Sequence, residues 1–441
     1  MTRPANPAKK EGRGQPAGMV IVDELRALNG AQRAAFLASF LGWALDAFDF
    51  FLLTLVQDNI ARAFHVKISD VSLAIVVTLA ARPVGALAFG RLADRYGRRP
   101  VMMANVGLYS LLAGASALSP NLPTLIGLRA LFGVAMGGVW GIGASLALES
   151  IPARSRGVVS GILQEGYPVG YFLAALAFLA SPVIGWRGML ALGIAPALLI
   201  LYVRARVPES PAWVAARAAQ GAAARPNLWQ VMRGHWRRLA YVVVLMTFFN
   251  FFAHGTQDLY PVFLKVQRHF GPPLVTALTI SLNLGAVVGG LIFGALSDRL
   301  GRRRTIVIAA LLALPVLPLW TYAPTALLLG VGAFLIQIAV QGAWGVVPVH
   351  LNELSPEQAR GAFPGFAYQL GNLFAASNAF IQARIAEAHH NDYALALSLV
   401  CGVVAVGVAI VTWLGPEAKG VDFGASGAET GSATRGARAR Q

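Results

Sequence analysis

Apolar residues fill long stretches of this chain, and polar residues gather in short breaks between them. Stretches long enough to cross a bilayer, which takes about 20 helical residues, fall near 33–57, 70–92, 101–119, 122–148, 157–180, 187–203, 239–264, 273–297, 305–322, 324–349, 361–385 and 393–414. Twelve transmembrane helices are expected. The longest polar break, 204–238, carries Arg204, Arg206, Arg217, Arg225, Arg233, Arg237 and Arg238, and it divides an N-terminal bundle, 33–203, from a C-terminal bundle, 239–414. The two ends, 1–32 and 415–441, are rich in small and polar residues and are expected to be disordered. The first of them lacks the apolar core and cleavage site of a signal peptide.

Self-similarity sharpens this division. The run Gly90-Arg91-Leu92-Ala93-Asp94-Arg95-Tyr96-Gly97-Arg98-Arg99 recurs as Gly294-Ala295-Leu296-Ser297-Asp298-Arg299-Leu300-Gly301-Arg302-Arg303, with seven of ten positions identical at an offset of 204. At the same offset Trp140-Gly141 maps to Trp344-Gly345, and Glu149, Pro152, Arg156, Gly157 and Gly161 map to Glu353, Pro356, Arg360, Gly361 and Gly365. Two six-helix halves in the same orientation are parallel repeats, for which a substrate site is expected at their interface near the bilayer midplane.

Composition agrees with a membrane protein. With 56% apolar and 13% charged residues and a mean hydropathy of +0.60, a soluble globular domain is excluded. A net charge of +16 would suggest nucleic-acid binding in a soluble protein. Here, with both termini cytoplasmic, 28 of the 36 Lys and Arg residues fall on the cytoplasmic side and six on the other; the short loops alone give 11 against six. The charge therefore marks topology, and no nucleic-acid partner is expected. The single cysteine, Cys401, lies in an apolar run, so no internal disulfide or cysteine metal cluster can form.

The loop Gly-x-x-x-Asp-Arg-x-Gly-Arg-Arg after the second helix of each half resembles the signature loop of the major facilitator superfamily. The resemblance covers the whole membrane region and implies an all-α fold of twelve helices in two parallel six-helix repeats. Gly90, Asp94, Arg95, Gly97 and Arg98, with Gly294, Asp298, Arg299, Gly301 and Arg302, are then the expected conformational latch: glycine permits the turn, and an Asp flanked by Arg can tie neighbouring helix ends.

Ionisable groups inside the spans are costly and so mark function. Asp46 and Asp49 lie three residues apart on one face of the first helix. Arg82 lies twelve residues before Asp94, about 18 Å along the second helix at 1.5 Å per residue and so near the midplane. Arg129 is in the fourth span, Gln164-Glu165-Gly166-Tyr167 forms a polar run in the fifth, and Asn250, His254, Gln257 and Asp258 share a stripe of the seventh. At the repeat offset Asp46 maps to Asn250, so the two are expected to face each other across the pseudo-two-fold axis, whereas Arg82 maps to Ala286. The fold does not require this cation. Its planar fork suits a carboxylate, which makes Arg82 the expected anchor of an anionic substrate; the alternative is that it only pairs with Asp46 or Asp49. His254 and Asp258, one turn apart, can exchange a proton near neutral pH. No metal site is expected, because no third His or Cys lies beside them, and no phosphate-binding loop suggests ATP or another cofactor.

Asn250-Phe251-Phe252-Ala253-His254-Gly255-Thr256-Gln257-Asp258 resembles the seventh-helix signature of the sialate:proton symporter family, which includes lactate and other monocarboxylate permeases. Ala253 and Val262 stand where that signature has Ser or Thr. Arg82 in Ala81-Arg82-Pro83-Val84-Gly85-Ala86 and the run Tyr368-Gln369-Leu370-Gly371-Asn372 are similar to other segments of the family. The resemblance implies that Asn250, His254, Gln257 and Asp258 line the translocation path and that Arg82 engages the carboxylate. Sialic acid permeases of this family generally carry two further central helices, and 204–238 offers none, which favours a short monocarboxylate such as lactate or pyruvate. The implied partners are a small organic anion and a proton, with Asp46, Asp49, His254 and Asp258 as coupling groups. The expected setting is the lipid of the inner or plasma membrane, and the expected state is a monomer. Asp46-Ala47-Phe48-Asp49 also resembles the Asp-Gly-x-Asp of aromatic-acid:proton symporters. An exporter is a further alternative, since gradients set direction, and a non-transporting sensor is the remotest.

Overall fold

The computed structural model describes residues 23–220, 228–421 and 423, and the described residues form helices without strands. Twelve rods follow in chain order: α1 Gly30–Leu55, α2 Ile68–Tyr96, α3 Arg98–Ala117, α4 Leu122–Ser150, α5 Arg156–Gln164 with Gly166–Phe178, and α6 Ser181–Arg206; then α7 Trp236–Gln257, α8 Pro272–Leu300, α9 Arg302–Thr321, α10 Ala326–Leu354, α11 Phe363–Ala375 with Asn378–Ala388, and α12 Tyr393–Leu414. Ten of the described helices are long and apolar enough to cross a membrane. The other two rods, α5 and α11, are broken at Glu165 and at 376–377 into stacked pieces, so neither forms one long apolar helix.

The repeat in the sequence is a repeat in packing. Within the first half α2 lies along α4 and α1 along α5; within the second, α8 lies along α10 and α7 along α11. The halves meet where α5 packs on α8 and α10, and where α11 packs on α2.

Several local readings change. The signature runs are helix rather than loop: α2 continues to Tyr96 and α3 starts at Arg98, so Gly97 alone, at φ +107°, turns the chain, and Gly301 does the same at φ +95°. Only glycine takes such values without strain. Of the end 1–32, residues 1–22 lie outside the described residues, while 23–27 are helical and α1 begins at Gly30. Asn29 and Gln32 exchange side-chain to backbone hydrogen bonds of 2.9 Å each, a capping box that starts the helix there. Of the other end, Gly415 to Val421 and Phe423 are described, and Phe423 is buried: the Arg156 and Arg360 guanidinium groups sit 3.6 and 4.2 Å from its ring centre; the rest lies outside the described residues. The break 204–238 holds two short helices, Pro211–Gln220 and Leu228–Gly234.

Candidate functional site

One face of the molecule carries both signature runs, and there the halves are tied together. The Asp94 carboxylate on α2 accepts N–H bonds from Gly361 and Ala362 of the other half, at 2.8 and 3.2 Å. Asp298 on α8 accepts from Gly157 and Val158, at 2.9 and 3.1 Å, the same contact displaced by 204 residues. Each aspartate is neutralised one turn on, Asp94 by Arg98 at 3.1 Å and Asp298 by Arg302 at 2.7 Å. Arg98 also grips Glu149 through two bonds of 3.1 and 2.9 Å, and Arg302 grips Glu353 through two of 2.9 and 3.0 Å. Glu209 caps the start of α3 at the Arg98 and Arg99 amides, and Glu417 caps α9 at the Arg302 and Arg303 amides; a carboxylate suits the positive end of a helix. Arg95 and Arg299 of the expected latch are exposed, and the Arg299 carbonyl accepts a bond from Lys419.

Close backbone approach seals the seam behind this latch. A Cβ on Gly90 would lie 2.3 Å from Ala362 Cα, and one on Gly161 would lie 2.4 Å from the Gly290 carbonyl oxygen. Ser145 reaches across to the Arg360 carbonyl at 2.9 Å, and Ser160 to that of Gly345 at 2.7 Å. The latch face is closed in this state.

Deeper in the first half lies the anion-binding candidate. Arg82 and Asp46, 4% and 0% exposed, form an ion pair of 3.2 Å, with the Phe50 ring centre 6.0 Å from the guanidinium. Arg82 Nε and Asp46 Oδ1 have no hydrogen-bond partner. Asp46 thus pairs with the arginine, while Asn250, expected to face it, donates its amide to Met246 of its own helix at 2.7 Å. Asp49 is turned differently: it lies against Gly193 of α6 and within electrostatic reach of Arg129, and neither of its oxygens has a hydrogen-bond partner.

Aromatic rings from both halves gather beside Arg82. Tyr368 lies within electrostatic reach of Arg82 and Asp46, and its ring is 4.8 Å from Trp140, 5.8 Å from Trp344 and 6.5 Å from Trp43. Tyr167 lies 5.5 Å from Trp43 and 5.3 Å from Phe51, and feels the charges of Arg82, Asp46 and Asp258.

On α7, His254 Nδ1 and Asp258 Oδ1 are 3.0 Å apart, as the spacing predicts. His254 Nε2 lies 3.2 Å from Asn372 Oδ1, and Asn378 donates to Asp258 at 3.2 Å. Unlike the Arg82 pair, these side chains are 38% and 29% exposed, and Gln257 beside them is exposed as well.

The profile of the Major Facilitator Superfamily matches residues 35–379 and, in a second register, 244–433. The chain belongs to the Major Facilitator Superfamily. Among its relatives, a carboxylic acid transporter protein homolog of Saccharomyces cerevisiae is 26% identical over 90% of this chain and 70% of that protein. Sialic acid transporter NanX of Escherichia coli is 29% identical over 89% of this chain and 96% of its own, and a cis,cis-muconate transport protein of Acinetobacter baylyi 27% identical over 78% and 85%. A crystal structure of a double tryptophan mutant of XylE superposes with a TM-score of 0.71 at 19% identity, covering 90% of this chain and 98% of that one, which shows the shared fold.

Several buried residues of this superfamily member carry no signal of their contacts in the sequence. Glu149 and Glu353 were visible as repeat-related, but nothing local shows that they hold Arg98 and Arg302. The aromatic cluster comes from α1, α4, α5, α10 and α11, and no single segment displays it. Glu165, at the break in α5, is 6% exposed with no hydrogen-bond partner at either carboxyl oxygen.

Proposed function

We propose that this transporter is a proton-coupled symporter of a small organic monocarboxylate, working by alternating access in the inner or plasma membrane with its latch face and both termini in the cytoplasm. The observation that carries this reading is the buried Arg82–Asp46 pair, with unfilled hydrogen-bonding capacity on both partners. An entering carboxylate replaces Asp46 as the partner of Arg82. Asp46, losing its cation in a dry site, then holds a proton in place of the charge. Anion and proton together leave the buried charge unchanged, so the halves can rock without moving net charge through the membrane. Asn250, His254, Gln257 and Asp258 line the approach from the open side, where His254 and Asp258 relay protons to the site. Asp49 is held in reserve against Arg129, as a second coupling group. The 28 to six division of basic residues supports the orientation.

Lactate or pyruvate is the first reading of the substrate. The rings of Trp43, Trp140, Tyr167, Trp344 and Tyr368 favour a second, a planar unsaturated or aromatic acid that stacks while Arg82 holds its carboxylate. Proteoliposomes containing the full chain and a trapped pH indicator separate the two. Each of lactate, pyruvate, acetate, muconate, nicotinate, benzoate and sialic acid is added outside, and proton movement and labelled uptake are recorded. Proton entry with lactate or pyruvate supports the first reading, and entry only with the planar acids supports the second. Uptake without proton movement would overturn symport.

A further inference from the structure

We infer that Glu165 is a proton-binding site that gates the latch face: the seam between α5 and α8 closes only when this carboxyl carries a proton. The inference rests on the transporter reading above for its purpose, though not for its test.

Glu165 occupies the break in α5 and presses its carboxyl against α8, where a Cβ on Gly290 would lie 2.2 Å from Glu165 Oε1. Nine residues separate Glu165 from the latch end of α5 at Arg156, and eight separate Gly290 from Asp298, which sets both about 12–14 Å above the latch. Arg82 lies about 18 Å above it by the same measure. Glu165 therefore sits between the anion site and the latch, inside the contact that must part when this face opens.

Among the described residues, no cation pairs with its carboxyl oxygens. On α8 the nearest charge is Asp298, bonded to Arg302 and to the Gly157 and Val158 amides. On α10 Glu353 is held by Arg302, and His350 lies with Arg302, Arg303 and Glu417. On α4 Glu149 is held by Arg98 and Arg129 lies with Asp49; on α1 Asp46 is held by Arg82. Apart from the latch groups Arg98, Glu149 and Arg156, the N-terminal half buries three acids, Asp46, Asp49 and Glu165, against two arginines, Arg82 and Arg129. An unpaired buried carboxylate costs several kcal/mol, and a proton removes that cost. Glu165, the acid without an arginine, takes it.

The repeat supplies a comparison within the same molecule. Glu165 and Gly290 correspond to Gln369 and Ala86, and Gln369 is likewise buried in the opposite seam with neither amide atom bonded. One seam carries a neutral amide and the other a group that is neutral only when protonated. When α5 and α8 part, Glu165 meets water on the latch side and its proton leaves into that compartment; closure waits for another.

Hydrogen–deuterium exchange of the full chain in nanodiscs tests this without substrate, with labelling times scaled to the intrinsic rate at each pH. In the wild type, seam opening read from α5 and α8 amides rises with pH by up to about tenfold per unit, the limit for one proton. In Glu165→Gln, which keeps the shape, opening is small and independent of pH. Gln369→Glu adds a second such carboxyl and steepens the limit to about a hundredfold per unit. A wild-type slope that survives in Glu165→Gln, or a flat wild type, overturns the inference. Failure of every acid to be transported would overturn the symport reading and leave this measurement standing.

Discussion

Replacing Asp94 or Asp298 by asparagine should open the latch face by a calculable amount. Each carboxylate accepts two backbone N–H groups from the opposite half, Asp94 at 2.8 and 3.2 Å and Asp298 at 2.9 and 3.1 Å. Hydrogen bonds to a charged group contribute about 1.5–3 kcal/mol each. Asparagine keeps one carbonyl oxygen, loses the charge and points an amide donor where an acceptor is needed, so a loss of about 2–3 kcal/mol per site is expected. That lowers the closed to open ratio about 30- to 150-fold. The two sites have matching geometry and act on one equilibrium, so the shifts should be equal and should add in the double variant. Spin labels on Arg154→Cys and Arg299→Cys, exposed positions on the latch face of the two halves, report the separation by double electron–electron resonance once Cys401 is replaced by alanine. The parent should give one short distance, each asparagine variant an added longer one, and the double variant mostly the longer one. A double variant with the parent's distribution would refute the assignment of these bonds as the closing force.

Three further outcomes follow from the same geometry. Arg129→Met removes a cation within electrostatic reach of buried Asp49 and should destabilise the protein by up to about 3 kcal/mol, with part of the loss restored when Asp49→Asn is added; thermal unfolding in detergent reads both, and a fully stable single variant would refute the coupling. Arg82→Ala should abolish acid uptake by proteoliposomes while Arg82→Lys, which keeps the charge but not the fork, should retain only a small part; full uptake by either variant removes Arg82 from the site. Gly90→Val puts side-chain atoms where Ala362 Cα is only 2.3 Å from the first of them, so the spin-label distance should lengthen and uptake should stop, and an unchanged distance would show that the seam yields there.

Periodicity and repetition make the fold legible in the sequence. Hydropathy alone places the twelve rods, because a bilayer demands long apolar helices, and the 204-residue offset carries the pairing of α2 with α4 over to α8 with α10. The same offset relates Asp94 to Asp298 and Arg98 to Arg302, whose contacts repeat in the two halves. The break at Glu165 is not legible, since a polar run inside a span can equally be a continuous helix with a buried acid. Symmetry relates Asp46 to Asn250, whereas the choice of Asp46 rather than Asp49 as the partner of Arg82 depends on side-chain reach and not on backbone register. The ordering of the tail as far as Phe423 rests on two arginines from different halves, Arg156 and Arg360, which no local pattern joins.

Symmetry separates the moving parts of this transporter from its chemistry. The groups that close the latch face come in matched pairs: Asp94 with Asp298, Arg98 with Arg302, and Glu149 with Glu353. The charges buried deeper in the N-terminal half, away from the latch, do not. Asp46, Asp49, Arg82, Arg129 and Glu165 correspond to Asn250, Ala253, Ala286, Ala333 and Gln369, so each has an uncharged twin. A seam needs the same partner on both sides of the axis to open evenly, and duplication supplies it at once. A buried charge is different, because each copy must be taken out of water separately, and the proposed crossing of one anion with one proton needs a single set. The C-terminal half keeps its own titratable pair, His254 and Asp258, where the twin positions are Phe50 and Thr54. That pair stays partly exposed. On the symport reading proposed above, the fixed charges that hold the anion belong to one half, and the groups that meet protons from the open side belong to the other.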